Sequence, residues 1–278
     1  MCIRDRFIGV EVKGSKRWID LFFLPRFQPI EVLKPFLIII LATILCDIRS
    51  NILFKYLISI ILISVISLLL IAQPDIGQTL LVVFCWAALI FTSGINIYIL
   101  LAIFIFGASL LTYLIIYVPR FDYIQGRIFS FFNRETGTHN FQSDKAIESI
   151  TSGGFFGKGI GEGVLKNRVP EAHTDYIISV ISEEFGVVAI MLILLLFLIL
   201  IYMVFKKISF ETNDKVKLIL IGSISLILMQ ATIHIGVNIR LFPTTGMTLP
   251  FLSYGGSSII STSILAGIIL NLTKRKIT

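Results

Sequence analysis

Charged residues are scarce in this chain. Only 15% of its 278 residues are Asp, Glu, Lys or Arg, whereas a soluble globular domain contains about a quarter. The apolar runs at 95–118 and 187–205 exceed the roughly 18 residues that indicate a membrane-spanning helix. The sequence lacks the strand-like alternation that is typical of outer-membrane barrels. We therefore predict an all-α, polytopic helical membrane protein.

Cysteine is also rare, and its placement argues against redox chemistry. The chain has three cysteines, of which Cys46 and Cys85 lie in apolar runs, and it has no CxxC pair. Neither an HExxH motif nor a Cys cluster is present, so the sequence assigns no metal ligands. The net charge of +7 comes mostly from loops and helix ends. Membrane topology and phosphate contacts explain this placement better than nucleic acid does.

About seven segments are predicted to cross the membrane, near 28–46, 56–72, 77–92, 95–118, 176–205, 216–239 and 249–273. Lys and Arg in the short loops near 49–55 and 206–217, and at 274–276, predict that these parts face the cytoplasm. A long polar loop, 119–175, would then face the extracytoplasmic side. Because the chain opens directly on a loop-like segment, we expect 1–278 to be a fragment of a single membrane domain.

The long polar loop ends in the sequence PEAHTD, immediately before a new apolar helix. Asp175 at its end could act as a helix N-cap or as a catalytic base, and the residues alone favour neither. For His173 we favour a hydrogen-bonding role. The Gly-rich stretch 153–163 is not a dinucleotide motif, because no strand precedes it. We interpret it as a flexible loop whose bare backbone approaches a bulky substrate, with Lys158 meeting phosphate.

Several polar residues next to or inside apolar segments have a structural interpretation. Glu31 and Lys34 are three residues apart and could pair on one helix face, and Asp75 is placed to cap a helix. Glu183 and Glu184 lie two turns into a helix, where a buried pair with a loop cation is favoured over a proton relay.

Two further groups favour helix packing. The stripe Gln230, His234 and Asn238 is interpreted as a contact between helices. The small residues Ser253, Gly255 and Gly256 favour close packing, and this serine is not in a GxSxG elbow.

Together these motifs resemble the SEDS family (shape, elongation, division and sporulation), which are bacterial peptidoglycan glycosyltransferases. The resemblance covers nearly the whole chain and rests on segments 14–18, 28–34, 73–77, 153–163, 170–175, 183–186 and 243–258, with Arg127 and Gln142. The stretches GMTLP and GEG favour the division branch (FtsW) over the elongation branch (RodA). Ile30 and His234 depart from the usual residues. Family members have ten membrane helices, so the resemblance implies about three further helices before Met1.

The resemblance implies polymerisation of lipid II into glycan strands, with Asp175 as the catalytic base. We expect the substrate and its pyrophosphate to contact Arg17, Lys34, Arg127, Lys158, Gln142 and His173. Supporting roles fall to Trp18, Glu31, Asp75, Glu171, Glu183, Glu184, Ser253, Gly255 and Gly256. A divalent cation (Mg or Mn) could assist.

The expected partners are membrane lipid, the nascent glycan strand, a class B penicillin-binding protein transpeptidase and other division proteins. Two other functions fit the residues less well. One is a lipid II flippase, for which polar residues inside helices would line a path, and the other is a non-enzymatic division scaffold.

Overall fold

A computed structural model describes residues 10–12, 15–21, 24–47, 51–73, 75–118, 121–132, 138–164 and 171–274. The chain forms two compact units, and each is described by itself. The first comprises Met1–Leu100, Ile201–Met229 and Gly255–Thr278, and the second comprises Leu101–Leu200 and Gln230–Tyr254.

Helices dominate the described residues, which confirms the predicted fold class. They are α1 (Pro29–Leu45), α2 (Ile52–Ala72), α3 (Ile76–Thr92), α4 (Ile97–Tyr117), α5 (Asp122–Phe132), α6 (Thr138–Gly153), α7 (Ile177–Phe210), α8 (Asp214–Asn238) and α9 (Gly256–Thr273). A small antiparallel sheet, which the sequence did not predict, precedes them in the order β1 (Val10–Val12), β2 (Ser15–Leu21) and β3 (Leu24–Phe27).

Five of these helices, α2, α4, α7, α8 and α9, are long and apolar enough to cross a membrane, and α3 is a shorter apolar helix. With α1, they match the seven predicted segments. The largest difference in a boundary is at α9, which begins at Gly256 and not near Leu249. Pro250 cannot donate a backbone hydrogen bond and Phe251 has a left-handed φ of 67°, so the chain turns here before the helix starts.

The predicted long polar loop contains two helices, α5 and α6. On α6 the buried residues Ser143, Ala146 and Ser149 recur every three positions and form one face. That face packs on the beginning of α7, where Ser149 Oγ donates to the carbonyl of Ser179 at 3.2 Å. The polar segment is therefore partly a helical layer laid against α7.

Helix α7 is broken at Gly186, whose φ of 76° and ψ of −175° are not helical. The Gly-rich loop 153–163 fits into this break and replaces the missing helical hydrogen bonds. Four backbone bonds do so: Val187 N to Gly154 O (3.0 Å), Val188 N to Phe155 O (3.3 Å), Lys158 N to Glu183 O (2.9 Å) and Gly159 N to Glu184 O (3.1 Å). The break is thus satisfied by the loop, as buried backbone groups require.

Glycine is needed where the loop meets α7. A Cβ would stand 1.9 Å from the Ser182 carbonyl oxygen at Gly153, 2.2 Å from that of Glu184 at Gly157, and 2.2 Å from that of Phe155 at Gly186. Our interpretation of a flexible loop awaiting substrate was wrong for Gly153 and Gly157. Their bare backbone lets the loop approach α7 instead.

The first unit packs its helices closely around Gly222 of α8. A Cβ there would lie 2.7 Å from Ile38 Cγ2 of α1 and 3.1 Å from Leu89 Cδ2 of α3. Cys85 Sγ donates to the Gly222 carbonyl at 3.5 Å. This buried cysteine is therefore part of the helix packing.

Candidate active site

Three consecutive carbonyls in the segment ending at Asp175 are each held by a different donor. The backbone N–H of Tyr254 donates to the His173 carbonyl at 3.0 Å, Ser253 Oγ to the Thr174 carbonyl at 2.7 Å, and Asn238 Nδ2 to the Asp175 carbonyl at 3.2 Å. The last two bonds fix the peptide planes on both sides of the Asp175 Cα. The side chain of Asp175 is half-buried. We call these three donors the carbonyl clamp.

The polar stripe on α8 supports the same region. Gln230 Nε2 donates to the Thr248 carbonyl at 3.0 Å. His234 Nδ1 lies 2.7 Å from the Met247 carbonyl, and it carries the proton because a carbonyl only accepts. Asn238 completes the stripe. The side chains of the stripe donate to Thr248, Met247 and Asp175, which lie outside regular helices, and to the His234 carbonyl within α8 itself. Our interpretation of the stripe as a contact between helices was therefore wrong for these bonds.

A turn over residues 246–253 faces the candidate base. A Cβ on Gly246 would lie 3.4 Å from Asp175 Oδ2, and its φ of 67° is left-handed. Ser253 Oγ accepts from the Leu249 N–H at 2.8 Å while it donates to Thr174. Ser253 thus links this turn to the segment before Asp175.

Glu171 shapes the other side of the segment. It has a left-handed φ of 57°, which is uncommon for a residue with a side chain. Its carbonyl accepts from the Asp175 N–H at 3.0 Å, and its Oε2 accepts from Thr174 Oγ1 at 3.2 Å. Beneath this turn, Ala172 and Tyr176 pack with Ala146 and Val180 in a hydrophobic cluster.

Glu183 is completely buried and forms the predicted pair with a loop cation. Its Oε1 lies 3.5 Å from Lys158 Nζ, and its Oε2 accepts from Ser149 Oγ at 3.1 Å. A Cβ on Gly163 would lie 2.9 Å from the Glu183 carboxyl carbon. Glu183 therefore joins the Gly-rich loop to α6 and α7. Glu184, next to it, accepts from the Gly161 N–H at 3.3 Å.

The first unit contains a second buried polar cluster. Lys34 Nζ lies 2.7 Å from Glu31 Oε2, with the lysine side chain fully buried. Gln78 Nε2 donates to Glu31 Oε1 at 2.6 Å. Asp75 Oδ1 accepts from the Gln78 N–H at 3.3 Å. The structural pair and the helix cap predicted here are confirmed, and an ammonium enclosed in this way reaches a phosphate only if the pair opens.

The remaining predicted residues are dispersed along the chain. Trp18 is half-buried in β2, Gln142 is half-buried on α6, and His173 is exposed. Arg17 lies on β2 and Arg127 on α5, and their side chains lie outside the described part of the structure.

The small residues at the start of α9 pack differently from the prediction. Gly255 is the N-cap of α9, but a Cβ on Gly256 would meet nothing within 4 Å. The expectation of close packing at Gly256 was wrong. The buried small residues lie further on, at Ser257, Ser258 and Ser261.

Comparison with known proteins identifies the family of this chain. The family model described as cell cycle protein, for FtsW, RodA and SpoVE, matches residues 1–277. The chain is 34% identical over 277 residues to the probable peptidoglycan glycosyltransferase FtsW of Caulobacter vibrioides. This match covers 97% of the chain and 68% of that relative. It is 33% identical over 273 residues to the protein of the same name from Nitrosomonas europaea, with 95% and 70% coverage.

Two solved structures share the fold. One is described as structural coordination of polymerization and crosslinking by a peptidoglycan synthase complex. It has a TM-score of 0.79 at 26% identity, and the match covers 98% of this chain and 77% of the chain in that structure. The other, the rod shape determining protein RodA of Thermus thermophilus, has a TM-score of 0.69 at 27% identity, with 100% and 76% coverage. The chain therefore belongs to the FtsW, RodA and SpoVE family of cell cycle proteins, which is the SEDS family.

Proposed function

We propose that this protein is a peptidoglycan glycosyltransferase of the division branch, which polymerises lipid II in the bacterial inner membrane. Family membership and relatives named FtsW support this activity. The observation that carries the assignment of the site is the carbonyl clamp. It holds both peptide planes around Asp175, as a group that must be positioned for chemistry requires.

In the proposed mechanism Asp175 takes the proton from the acceptor sugar's hydroxyl as that oxygen attacks the anomeric carbon of the donor. The bond from this carbon to undecaprenyl pyrophosphate breaks, and the leaving group departs with the bonding electrons. Cations stabilise the charge that grows on this leaving group. Arg17 and Arg127 are our candidates, with Gln142 and His173 as further substrate contacts.

Lys34 and Lys158 are weaker candidates for phosphate contacts than the sequence implied. Lys34 is buried against Glu31. Lys158 is paired with Glu183, although its side chain remains 38% exposed. Lys158 could therefore reach a phosphate through its exposed part, whereas Lys34 would first have to leave Glu31.

A divalent cation remains a prediction. Within the described part of the chain, no three His, Cys, Asp or Glu side chains are grouped as metal ligands would be. We therefore derive no step through a metal. Polymerisation measured after EDTA treatment, and again after Mg²⁺ or Mn²⁺ is restored, tests the requirement.

The decisive experiment is Asp175→Asn in the full-length protein purified with its transpeptidase partner. We expect glycan strands from lipid II to disappear on a gel, while the thermal stability of the complex stays unchanged. Asp144→Asn is the matched control, because Asp144 is an exposed carboxylate on α6 that pairs with Arg240. Normal polymerisation by Asp175→Asn would remove this residue from the base role.

The same assay separates an enzyme from a flippase. In detergent there is no membrane to cross, so polymer formed there requires transferase activity. The structure also weakens the argument that Glu183 lines a flippase path, because Glu183 forms an ion pair with Lys158 and accepts a hydrogen bond from Ser149. Protease or thiol-labelling access to the segment 119–175 in intact cells would test its proposed periplasmic position.

A further inference from the structure

Three large apolar side chains project from the Gly-rich loop. Phe155 is 75% exposed, Phe156 84% and Ile160 79%. They lie on a loop whose backbone is fixed at both ends of this tip, through Gly154, Phe155, Lys158 and Gly159. Three large exposed apolar side chains close together in sequence, on a loop whose backbone is hydrogen-bonded to α7, mark an interaction surface. We call these three residues the apolar tip.

The backbone of the Gly-rich loop is hydrogen-bonded to α7 at the break. Val187 and Val188 donate to Gly154 and Phe155, and they are the first two residues after the break at Gly186. From this point α7 is apolar and almost unburied within the structure. Its exposed side chains, beginning with Val187, Val188 and Met191, therefore contact acyl chains in a membrane.

The apolar tip is thus continuous with a lipid-facing surface. It lies where α7 changes from a helix covered by loop and α6 to a helix exposed to lipid. Segments that bind at this boundary, where headgroups meet acyl chains, bury side chains such as Trp, Phe and Leu there. The charges nearest the tip in sequence are Lys158 and Glu162. Lys158 is paired with the buried Glu183, and the exposed Glu162 must stay among headgroups or water when the tip inserts.

We propose that the Gly-rich loop is a membrane-surface anchor, with Phe155, Phe156 and Ile160 inserted at the boundary of headgroups and acyl chains. The anchor holds the break of α7 at a fixed depth. This inference goes beyond the proposed function and stands whether or not Asp175 is the catalytic base. A protein partner covering the tip is the competing occupant that the experiment must distinguish.

The test uses the full-length protein in nanodiscs of phosphatidylethanolamine and phosphatidylglycerol, with Phe156→Trp as a fluorescent reporter. The signal of the native tryptophans is subtracted with the parent protein. We expect the reporter's emission to be blue-shifted and to be quenched by lipids brominated near the headgroup end of their acyl chains. Glu148→Trp is the matched control, because Glu148 is exposed on α6 and outside the tip, and we expect it to show neither effect.

A second variant tests whether the apolar tip causes the insertion. Adding Phe155→Asp and Ile160→Asp to the reporter protein should move the emission back towards that of water and abolish quenching by lipid. Because these side chains are exposed, the melting temperature should remain within a few degrees of the parent's.

Three results would overturn the proposal. One is a reporter with water-like emission and no lipid quenching. Another is blue-shifted emission that brominated lipid leaves unchanged, which would mean packing against protein. The third is a blue shift that arises only when the transpeptidase partner is added, which would make the tip a protein interface.

Discussion

Ser253 and Thr174 are joined by a hydrogen bond of 2.7 Å, in which the Ser253 hydroxyl donates to the Thr174 carbonyl. That carbonyl belongs to the peptide unit leading into Asp175, so the hydroxyl fixes the plane of this unit. The same oxygen accepts from the Leu249 N–H. One buried hydroxyl therefore links the turn at 249–253 to the backbone of the candidate base.

Replacing this hydroxyl should lower the rate of polymerisation more than it lowers substrate affinity. Ser253→Ala leaves the Thr174 carbonyl and the Leu249 N–H without this partner, at a cost of about 1–3 kcal/mol for each buried group left unsatisfied. Movement of the base by a fraction of an ångström reduces kcat, and we expect a loss on the order of tenfold to a hundredfold. The measurement is kcat and KM for lipid II polymerisation.

Two variants separate position from stability. Ser253→Thr keeps the hydroxyl and should recover part of kcat. Ser261→Ala makes the same change at a buried hydroxyl that has no hydrogen-bond partner in the described structure, and it should be close to neutral. Equal losses of kcat in Ser253→Ala and Ser253→Thr would show that the hydroxyl does not position the base.

Polymerisation should depend more on the charge of the side chain at Asn238 than on its shape. Its amide donates to the carbonyls of Asp175 and His234. Asn238→Leu removes both donors at similar volume, and Asn238→Asp also turns a negatively charged oxygen towards two carbonyls. We expect both to reduce polymerisation, Asn238→Asp by about a further tenfold, because an acceptor facing an acceptor is repelled where the leucine is only unpaired. If Asn238→Asp polymerises as well as the parent, the amide is not needed to hold Asp175.

The sequence predicted the fold class, the seven apolar helices and the local pairs well. Glu31 with Lys34, and the cap by Asp75, depend on spacing within a few residues, which a sequence displays directly. The site is different. The clamp joins Thr174 to Ser253 across 79 positions of chain, and no local pattern encodes such a contact.

The role of the glycines was also hidden from local patterns. The stretch 153–163 shows that backbone must come close to something, but not to what. Only the break at Gly186 reveals that the partner is α7. The α8 stripe was visible as polar residues four apart, and its partners, backbone carbonyls at 247, 248 and 175, follow from the tertiary fold alone.

The pair of Lys158 and Glu183 should stabilise the protein more than a surface pair does. Lys158→Met leaves the fully buried Glu183 carboxylate without its cation, and breaking a buried pair costs about 3–5 kcal/mol. Because the Lys158 side chain is partly exposed to solvent, we expect the loss of stability to lie below this range. The comparison variant is Lys145→Met, which breaks the exposed pair with Glu148 and should cost about 0–1 kcal/mol.

Thermal unfolding in detergent measures both variants. Lys158→Met should lower the melting temperature clearly and Lys145→Met hardly at all. Adding Glu183→Gln to Lys158→Met should restore part of the stability, since the uncompensated charge is removed while the amide can still accept from Ser149. A double variant less stable than Lys158→Met would contradict the assignment of Glu183 as the buried partner.

Gly186 should tolerate no side chain, because two independent obstacles coincide there. Its φ of 76° is left-handed, and a Cβ would stand 2.2 Å from the Phe155 carbonyl oxygen. The backbone conformation alone costs a residue with a Cβ about 1–3 kcal/mol, and the clash forces the loop out of the break in α7. We expect Gly186→Ala to lower the yield of folded protein on size-exclusion chromatography and to abolish polymerisation.

Gly107→Ala is the matched control in α4, where a Cβ would meet nothing within 4 Å, and it should fold and polymerise like the parent. A well-folded, active Gly186→Ala variant would show that the loop and α7 can separate without harm.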